Sequence, residues 1–277
     1  MKKLTSLLCL ALCALLALSG VALAESATPN IDAIKDAGQI VMLTNAAFPP
    51  FEYTGDELNE DGTAKVYGVD ADIAAEIAKD LGVELKIVNM EFDYLIEAVK
   101  SGKGDFAAAG MTVKPEREEQ VNFSIKYVKS SQYILVGADN ETITCGADLE
   151  GKVIGVQEGT TGDFYASDLE STGATVMRYP DAVTASLDLA NGRIDAVITD
   201  ELPAKSIAAS NEKLKLIDEV LTEEEYAIAI AKEKTDLLEA VNKTIQRLID
   251  EGKIDEFINF HMGTETEESE ETEEAAN

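Results

Sequence analysis

Residues 102–117 combine types and spacings that suit the binding of an anion. They read Gly-Lys-Gly-Asp-Phe-Ala-Ala-Ala-Gly-Met-Thr-Val-Lys-Pro-Glu-Arg, which is typical of a helix end, a short buried strand, a tight corner and a new helix start. Pro115 suits the first helical turn, where its missing N–H costs nothing. Backbone N–H groups near Gly110 and Thr112, the Thr112 hydroxyl and the Arg117 guanidinium would then converge. The forked guanidinium fits a carboxylate. Ordinary turn residues and a solvated arginine are the alternative.

A second charge that would complement this site stands at the end of another apolar run. Residues 194–199 are typical of a buried strand, and Asp200 follows them directly. Arg117 and Asp200 carry the opposite charges that an α-carboxylate and an α-ammonium group require. A helix N-cap before Glu201 is the alternative role for Asp200. The pair indicates a site for a small zwitterion.

The elements that must position these residues alternate between strand and helix in both halves of the chain. Each half contains three apolar runs of strand length: 39–44, 83–88 and 105–109, and then 152–156, 175–178 and 194–199. The order βαβαβ predicts parallel strands with right-handed crossovers. The helix end at 101–106 has a counterpart at 191–196, which indicates one repeated unit per lobe.

Two extended segments, 126–137 and 225–231, connect the halves. We therefore predict an α/β fold of two Rossmann-like lobes joined by a two-strand hinge. Lobe 1 would comprise residues 31–129 and 226–262, and lobe 2 residues 134–221. Ligands of open parallel sheets lie outside the carboxyl ends of the strands. Such ends in both halves are polar or aromatic here, so facing lobes would enclose one small molecule.

The chain ends and the composition exclude several classes of partner. The formal net charge is -30, which argues against nucleic acid and anionic membrane surfaces. Residues 1–24 have the basic start, apolar core and A-x-A end of a signal peptide, without a lipoprotein cysteine. Residues 264–277 are rich in glutamate and predict a disordered acidic tail. We expect a soluble exported protein, periplasmic or extracellular, that does not insert into a membrane.

Several spaced motifs resemble the polar amino-acid-binding family of extracytoplasmic solute-binding proteins, which are the receptors of ABC importers and have a periplasmic binding protein type II-like fold. The resemblance covers residues 39–260 and rests on Asn-Ala-Ala-Phe-Pro-Pro-Phe-Glu at 45–52, Gly-Val-Asp-Ala-Asp-Ile at 68–73, Glu-Phe-Asp at 91–93, Ala-Gly-Met-Thr-Val-Lys-Pro-Glu-Arg at 109–117, Gly-Thr-Thr-Gly at 159–162, and Gly-Arg-Ile-Asp-Ala-Val-Ile-Thr-Asp at 192–200. It implies a monomeric receptor that closes its cleft around a polar amino acid and delivers it to a membrane permease.

The resemblance also implies a role for individual positions. Arg117, with Gly110 and Thr112, would hold the ligand carboxylate, helped from the other lobe by Thr161, while Asp200 would bind the ammonium group. Phe48 and Phe92 would sandwich the aliphatic part of the ligand side chain. The variable part of that side chain would be faced by Asn45, Gln157 and Thr199. The remaining predicted ligand-binding residues are neighbours of these positions: Ala109, Met111 and Thr160.

The identity of residue 45 bears on the choice of amino acid. Family members that select lysine, arginine or ornithine often have an aspartate where this chain has Asn45. With Asn45 neutral, Arg117 and Asp200 balance a zwitterion, so we predict a neutral polar ligand such as glutamine or cystine. A basic amino acid is the alternative, and it would be favoured if a nearby carboxylate pointed inward: Glu52, Glu91 or Glu158.

Two other functional classes share this fold. A few dehydratases resemble it and use an acid in the cleft, but the sequence contains no Ser-His or Cys-His pairing, no histidine cluster for a metal and no GxxxxGK loop. We therefore predict no catalytic residues, no metal and no cofactor. A sensory module that presents its ligand to a receptor would use the same cleft, and the sequence leaves that alternative open.

Overall fold

The computed structural model describes residues 28–263. The predicted signal peptide and acidic tail lie outside the described residues. The first part of the chain forms α1 (Pro29–Ala37), β1 (Gln39–Thr44), β2 (Ala47–Phe48), β3 (Glu52–Leu58), β4 (Ala64–Tyr67), α2 (Val69–Leu81), β5 (Glu84–Asn89), α3 (Leu95–Lys100), β6 (Phe106–Ala107), α4 (Pro115–Glu118) and β7 (Asn122–Phe123).

The remainder forms a second series of strands and helices, and ends with two helices. Its elements are β8 (Val128–Gly137), β9 (Val153–Gln157), α5 (Thr161–Asp168), β10 (Thr175–Tyr179), α6 (Ala182–Ala190), β11 (Ala196–Asp200), α7 (Glu201–Ser210), β12 (Leu214–Tyr226), β13 (Ala229–Ile230), α8 (Thr235–Asp250) and α9 (Lys253–Met262). Between residues 28 and 263, no helix is both long enough and apolar enough to span a bilayer.

Two five-stranded sheets share one topology. Their strand orders are β5-β1-β6-β13-β7 and β10-β9-β11-β8-β12. In each sheet the first strand of the βαβαβ unit lies between the other two and pairs with both in parallel, and the next strand along the sheet is antiparallel. The predicted α/β fold with a repeated unit is confirmed. A small antiparallel sheet, β2-β3-β4, follows β1.

Apolar side chains cover both faces of each large sheet, as parallel strands require. In α2, Ile73 and Ile77 recur at helical spacing and are buried in the core of the first sheet. Gly82 ends that helix with a φ of 73°, a left-handed conformation that glycine adopts without steric cost. The helices therefore hold the sheets rigid, and the loops at the carboxyl ends of the strands carry the polar residues.

The connection between the two sheets is a pair of long antiparallel strands. β8 and β12 are paired from Val128 opposite Tyr226 to Gly137 opposite Leu214, with an irregularity between Ile217 and Thr222. The sequence predicts extended structure only from residue 225, and this boundary is wrong, because β12 begins at Leu214. The glutamates near its end conceal the alternation by which a half-buried strand is identified.

Candidate functional site

A cavity lies where the carboxyl ends of β1, β6, β9 and β11 approach one another. The residues that line it are Asn45, Phe48, Glu52, Phe92, Ala109, Gly110, Thr112, Arg117, Gln157, Thr160, Thr161 and Asp200. All but two of the predicted site residues are in this set, and Glu52 joins them. Their roles toward a ligand stay predictions.

The two exceptions, Met111 and Thr199, are predicted site residues that the structure places elsewhere. Met111 is 1% exposed and packs in the apolar core with Leu95 and Val121. Thr199 is buried within β11, one residue before Asp200. Successive residues of an extended chain point to opposite sides. Because Gly110 and Thr112 on either side of Met111 line the cavity, and Asp200 next to Thr199 lines it too, these two side chains face away from it.

Arg117 is held beneath the corner that the sequence singles out. Pro115 begins α4, and this short turn buries the guanidinium at 7% residue exposure. Nη1 donates to the Thr112 carbonyl at 2.8 Å, and Nη2 donates across the cleft to the Gly159 carbonyl at 3.0 Å. The guanidinium carbon lies 5.3 Å from the centre of the Phe92 ring, a cation–π contact. Burial lowers the pKa of Arg117, but the group stays charged.

Gly110 forms the tight corner and is committed to a structural hydrogen bond. Its φ is 51°, and a Cβ there would lie 2.5 Å from Phe48 Cε1, so only glycine fits. Its N–H donates to Asp70 Oδ2 at 2.8 Å, and Tyr127 Oη donates to the same carboxyl group at 2.7 Å. The expectation that the Gly110 N–H is free for a ligand is therefore wrong, because Asp70 already accepts it.

Asp200 occupies the other side of the cavity and is bound by side chains of the connecting strands. Its Oδ1 accepts hydrogen bonds from Ser130 Oγ at 3.1 Å and from Tyr226 Oη. Helix α7 follows Asp200, but the side chain makes no capping hydrogen bond to it, which contradicts the alternative role as an N-cap. Burial and, next, the charge of Glu224 raise the pKa of Asp200 to about 7.

Asn45 and Gln157 join the two lobes at another edge of the cavity. Gln157 Nε2 donates to Asn45 Oδ1 at 2.9 Å and to the Pro180 carbonyl at 3.1 Å. Asn45 Nδ2 donates to the Met90 carbonyl at 2.9 Å. These residues end corresponding strands, β1 and β9, so the repeated topology brings two amides face to face. Thr160 lies nearby as the N-cap of α5, where its hydroxyl accepts from the Asp163 N–H.

Glu52 lines the cavity; it is not among the predicted ligand-binding residues, but it is one of the three carboxylates that would favour a basic ligand if they pointed inward. It is 1% exposed, and neither carboxyl oxygen has a hydrogen-bond partner among residues 28–263. Burial, followed by the nearby Asp70 carboxyl, raises the pKa of Glu52 well above its ordinary value. Glu91 and Glu158, the other carboxylates considered for this role, are exposed. The sequence feature that could have identified Glu52 is the motif Phe-Pro-Pro-Phe-Glu at 48–52, which ends in this residue.

The connecting strands supply further polar groups that sequence reasoning missed. Ser130 from β8 and Tyr226 from β12 hold Asp200, and Glu224 from β12 is 7% exposed beside them. Glu224 and Tyr226 share one face of the strand because their spacing is two. Among residues 28–263 no group of three or more His, Cys, Asp or Glu side chains is arranged to hold a metal ion. The charged residues among the described ones that line the cavity are Arg117, Glu52 and Asp200.

The family model for bacterial extracellular solute-binding proteins, family 3, matches residues 40–264. In sequence, the chain is 30% identical to the L-cystine-binding protein TcyJ of Escherichia coli strain K12. The alignment of 226 residues covers 81% of this chain and 82% of that protein.

Two similar solved structures cover most of the described chain. The arginine-bound form of truncated ArgBP from T. maritima is 41% identical, with a TM-score of 0.72 over 78% of this chain and 99% of that one. An ancestral arginine-binding protein bound to glutamine is 36% identical, with a TM-score of 0.74 over 82% of this chain and 98% of that one.

Proposed function

Because the chain belongs to the bacterial extracellular solute-binding proteins of family 3, we propose that it is an amino-acid receptor that delivers its ligand to the membrane permease of an ABC importer. In this proposal it acts outside the cytoplasm as a monomer, after removal of residues 1–24, and it needs no cofactor. Cleft closure around the ligand would form the complex that the permease recognises.

The opposite charges of Arg117 and Asp200 support an amino acid as the ligand. Both groups are buried, at 7% and 6% exposure, and both line the cavity. A buried charge is costly unless it is paired. Arg117 at present contacts neutral carbonyl groups, and Asp200 contacts hydroxyl groups. An α-carboxylate and an α-ammonium group would give each of them a charged partner, which neither an uncharged sugar nor a simple anion would do.

Glu52 carries the choice of ligand class, and it favours a basic amino acid such as arginine or lysine. Burial, followed by the charge of Asp70, raises the pKa of the Glu52 carboxyl, because both oppose its ionisation. Arg117 is the sole cationic side chain among the described residues that line the cavity, and it would be paired by the ligand carboxylate. A cationic ligand side chain that reached Glu52 would therefore give this carboxyl group a charged partner.

A neutral polar amino acid is the second candidate, because Asn45 and Gln157 line the cavity and present amide groups that contact each other. Amide groups both donate and accept hydrogen bonds, so they match the side chain of glutamine. The similar solved structures include complexes of both kinds, one with arginine and one with glutamine. The prediction of a neutral ligand thus remains, and binding measurements must decide between the two.

Calorimetric titration of the wild type and Glu52→Gln with L-arginine, L-lysine, L-glutamine and L-cystine tests the proposal. The wild type should bind arginine or lysine most tightly. Glu52→Gln should weaken the binding of the basic ligand at least tenfold, because a charge-assisted hydrogen bond is lost, and should change glutamine binding far less. Glu91→Gln is the matched control, since Glu91 is exposed near the cleft. Tighter binding of glutamine or cystine by the wild type would establish the neutral class instead.

Contacts between the two halves of the chain lie around the cavity and bear on how the cleft closes. They include Arg117 with Gly159, Asn45 with Gln157, and Lys114 Nζ at 4.7 Å from the centre of the Phe164 ring. We propose that the lobes, residues 31–129 with 226–262 and residues 134–221, rotate about β8 and the end of β12. Ligand contacts divided between them would favour the closed arrangement.

A further inference from the structure

Three threonine hydroxyl groups converge on one carboxylate of the connecting strand β12. Thr112 Oγ1 and Thr161 Oγ1 lie 2.5 and 2.9 Å from Glu224 Oε2, and Thr222 Oγ1 lies 2.8 Å from Glu224 Oε1. Glu224 is 7% exposed. Thr112 follows β6 in the first sheet, and Thr161 begins α5 beside the second. One side chain therefore holds hydroxyl groups from both sides of the cavity.

The charge of Glu224 fixes the direction of these hydrogen bonds. A carboxylate only accepts, so each hydroxyl group must donate its single proton to it. Thr161 Oγ1 also accepts from Gln132 Nε2 at 3.0 Å, which completes a chain from amide to hydroxyl to carboxylate. Thr112 and Thr161 both line the cavity. The hydroxyl groups can therefore offer a ligand lone pairs and no proton.

We propose that Glu224 is a positioning residue that turns Thr112 and Thr161 into acceptors for the α-ammonium group of the ligand, beside Asp200. The inference rests on the proposed amino-acid function. It reverses the expectation that these two hydroxyl groups donate to the ligand carboxylate. Arg117 remains for that carboxylate, together with the Thr161 and Gly162 N–H groups in the first turn of α5, which have no acceptor within the helix.

The arrangement makes the α-ammonium group the principal feature that the site recognises. Asp200 and the two hydroxyl oxygens would surround a group with three N–H donors. A ligand that lacks the α-amino group would leave the Asp200 charge without a cationic partner and the hydroxyl oxygens short of a donor, which is costly in a buried site. Removal of the Glu224 charge would release hydroxyl protons, which could then donate to the ligand and relax this discrimination.

The test compares amino acids with analogues that lack only the α-amino group. L-arginine is paired with 5-guanidinopentanoic acid, and L-glutamine with glutaramic acid. For each pair, calorimetry gives the ratio of the dissociation constant of the analogue to that of the amino acid. Glu224→Gln should lower the ratio at least tenfold relative to the wild type. Glu223→Gln, which removes the same charge from an exposed position on the same strand, should leave it within twofold. A residue that only stabilises the fold would weaken both ligands alike and leave the ratio unchanged.

A double-mutant cycle separates hydroxyl orientation from the through-space effect of the charge. Thr161→Val removes one acceptor but keeps Glu224, and it should also lower the ratio. If Glu224 acts through the hydroxyl groups, Glu224→Gln should lower the ratio at least threefold less in the Thr161→Val background than alone. Strictly additive effects would overturn the inference. If Glu224→Gln does not fold, an unchanged ratio in Thr161→Val would overturn it as well.

The outcomes distinguish the inference from the function on which it rests. A wild type that binds no amino acid in the initial screen removes the proposed function, and the inference with it. A wild type that binds an amino acid and rejects the analogue, alongside a Glu224→Gln variant with the same ratio, removes the inference alone.

Discussion

Acidification should weaken ligand binding, because Asp200 must lose a proton to pair with an ammonium group. Burial and then the Glu224 charge raise the pKa of Asp200 from 3.8 to about 7 in the free protein. A bound cation favours the ionised form and so lowers that pKa. The free protein therefore carries a proton below about pH 7 that the complex does not, and affinity falls as the pH drops through this value.

The magnitude follows from the fraction of Asp200 that is ionised before binding. With a pKa of about 7, that fraction is about one half at pH 7 and about 1% at pH 5. Affinity should therefore fall about 90-fold between pH 8 and pH 5, or about 2.7 kcal/mol.

The folding stability of the free protein should change with pH in the opposite direction to its ligand affinity. Its folded state holds the proton up to about pH 7 and the unfolded chain only to about pH 4, so the free energy of unfolding from this group decreases as pH rises between these values.

Calorimetry in two buffers with different ionisation enthalpies measures the released proton directly. Asp200 alone should release about half a proton per ligand at pH 7 and nearly one at pH 6. Glu52 should add to this release only for a basic ligand, since its pKa is also raised. In Glu224→Gln the midpoint should move to lower pH, because one cause of the raised pKa is removed. An affinity that stays constant from pH 8 to pH 5.5, with no buffer dependence of the heat, would refute the reasoning.

Two further substitutions test the corner and its arginine. Arg117→Ala should weaken amino-acid binding by at least 100-fold, since about 3 kcal/mol of charge-assisted hydrogen bonding is lost. Arg117→Lys should restore only part of the lost affinity. If calorimetry showed unchanged affinity in both variants, Arg117 would not bind the ligand carboxylate. Gly110→Ala should lower the free energy of unfolding by about 1–3 kcal/mol in a urea titration, because its φ is positive and its Cβ would meet Phe48. Gly62→Ala, where φ is 83° but nothing lies within 4 Å, measures the backbone contribution alone.

Local signals were sufficient to identify the strand ends but not the side chains that reach them from elsewhere. Gly110 and Pro115 mark their corner by conformational preferences that belong to the residues themselves. Alternation along the same segment directs Met111 away from the cavity, whereas its place in the motif predicts a site residue. Only the tertiary fold shows that Glu52 is buried beside Asp70. Glu224 is the middle of three consecutive glutamates in an acidic chain, and nothing local distinguishes it from a solvated one.

The shared topology of the two sheets explains how the ends of the cavity come to differ in chemistry. The first strand of each unit ends at an amide, Asn45 after β1 and Gln157 at the end of β9, and these amides meet across the cleft. The third strand of each unit leads to the charged groups, Arg117 beyond β6 and Asp200 at the end of β11. The connecting strands add Ser130, Tyr226 and Glu224 to the second of these ends, beside Asp200. We therefore expect substitutions at the amide end to change which amino acid is selected, and substitutions at the charged end to abolish recognition of any amino acid.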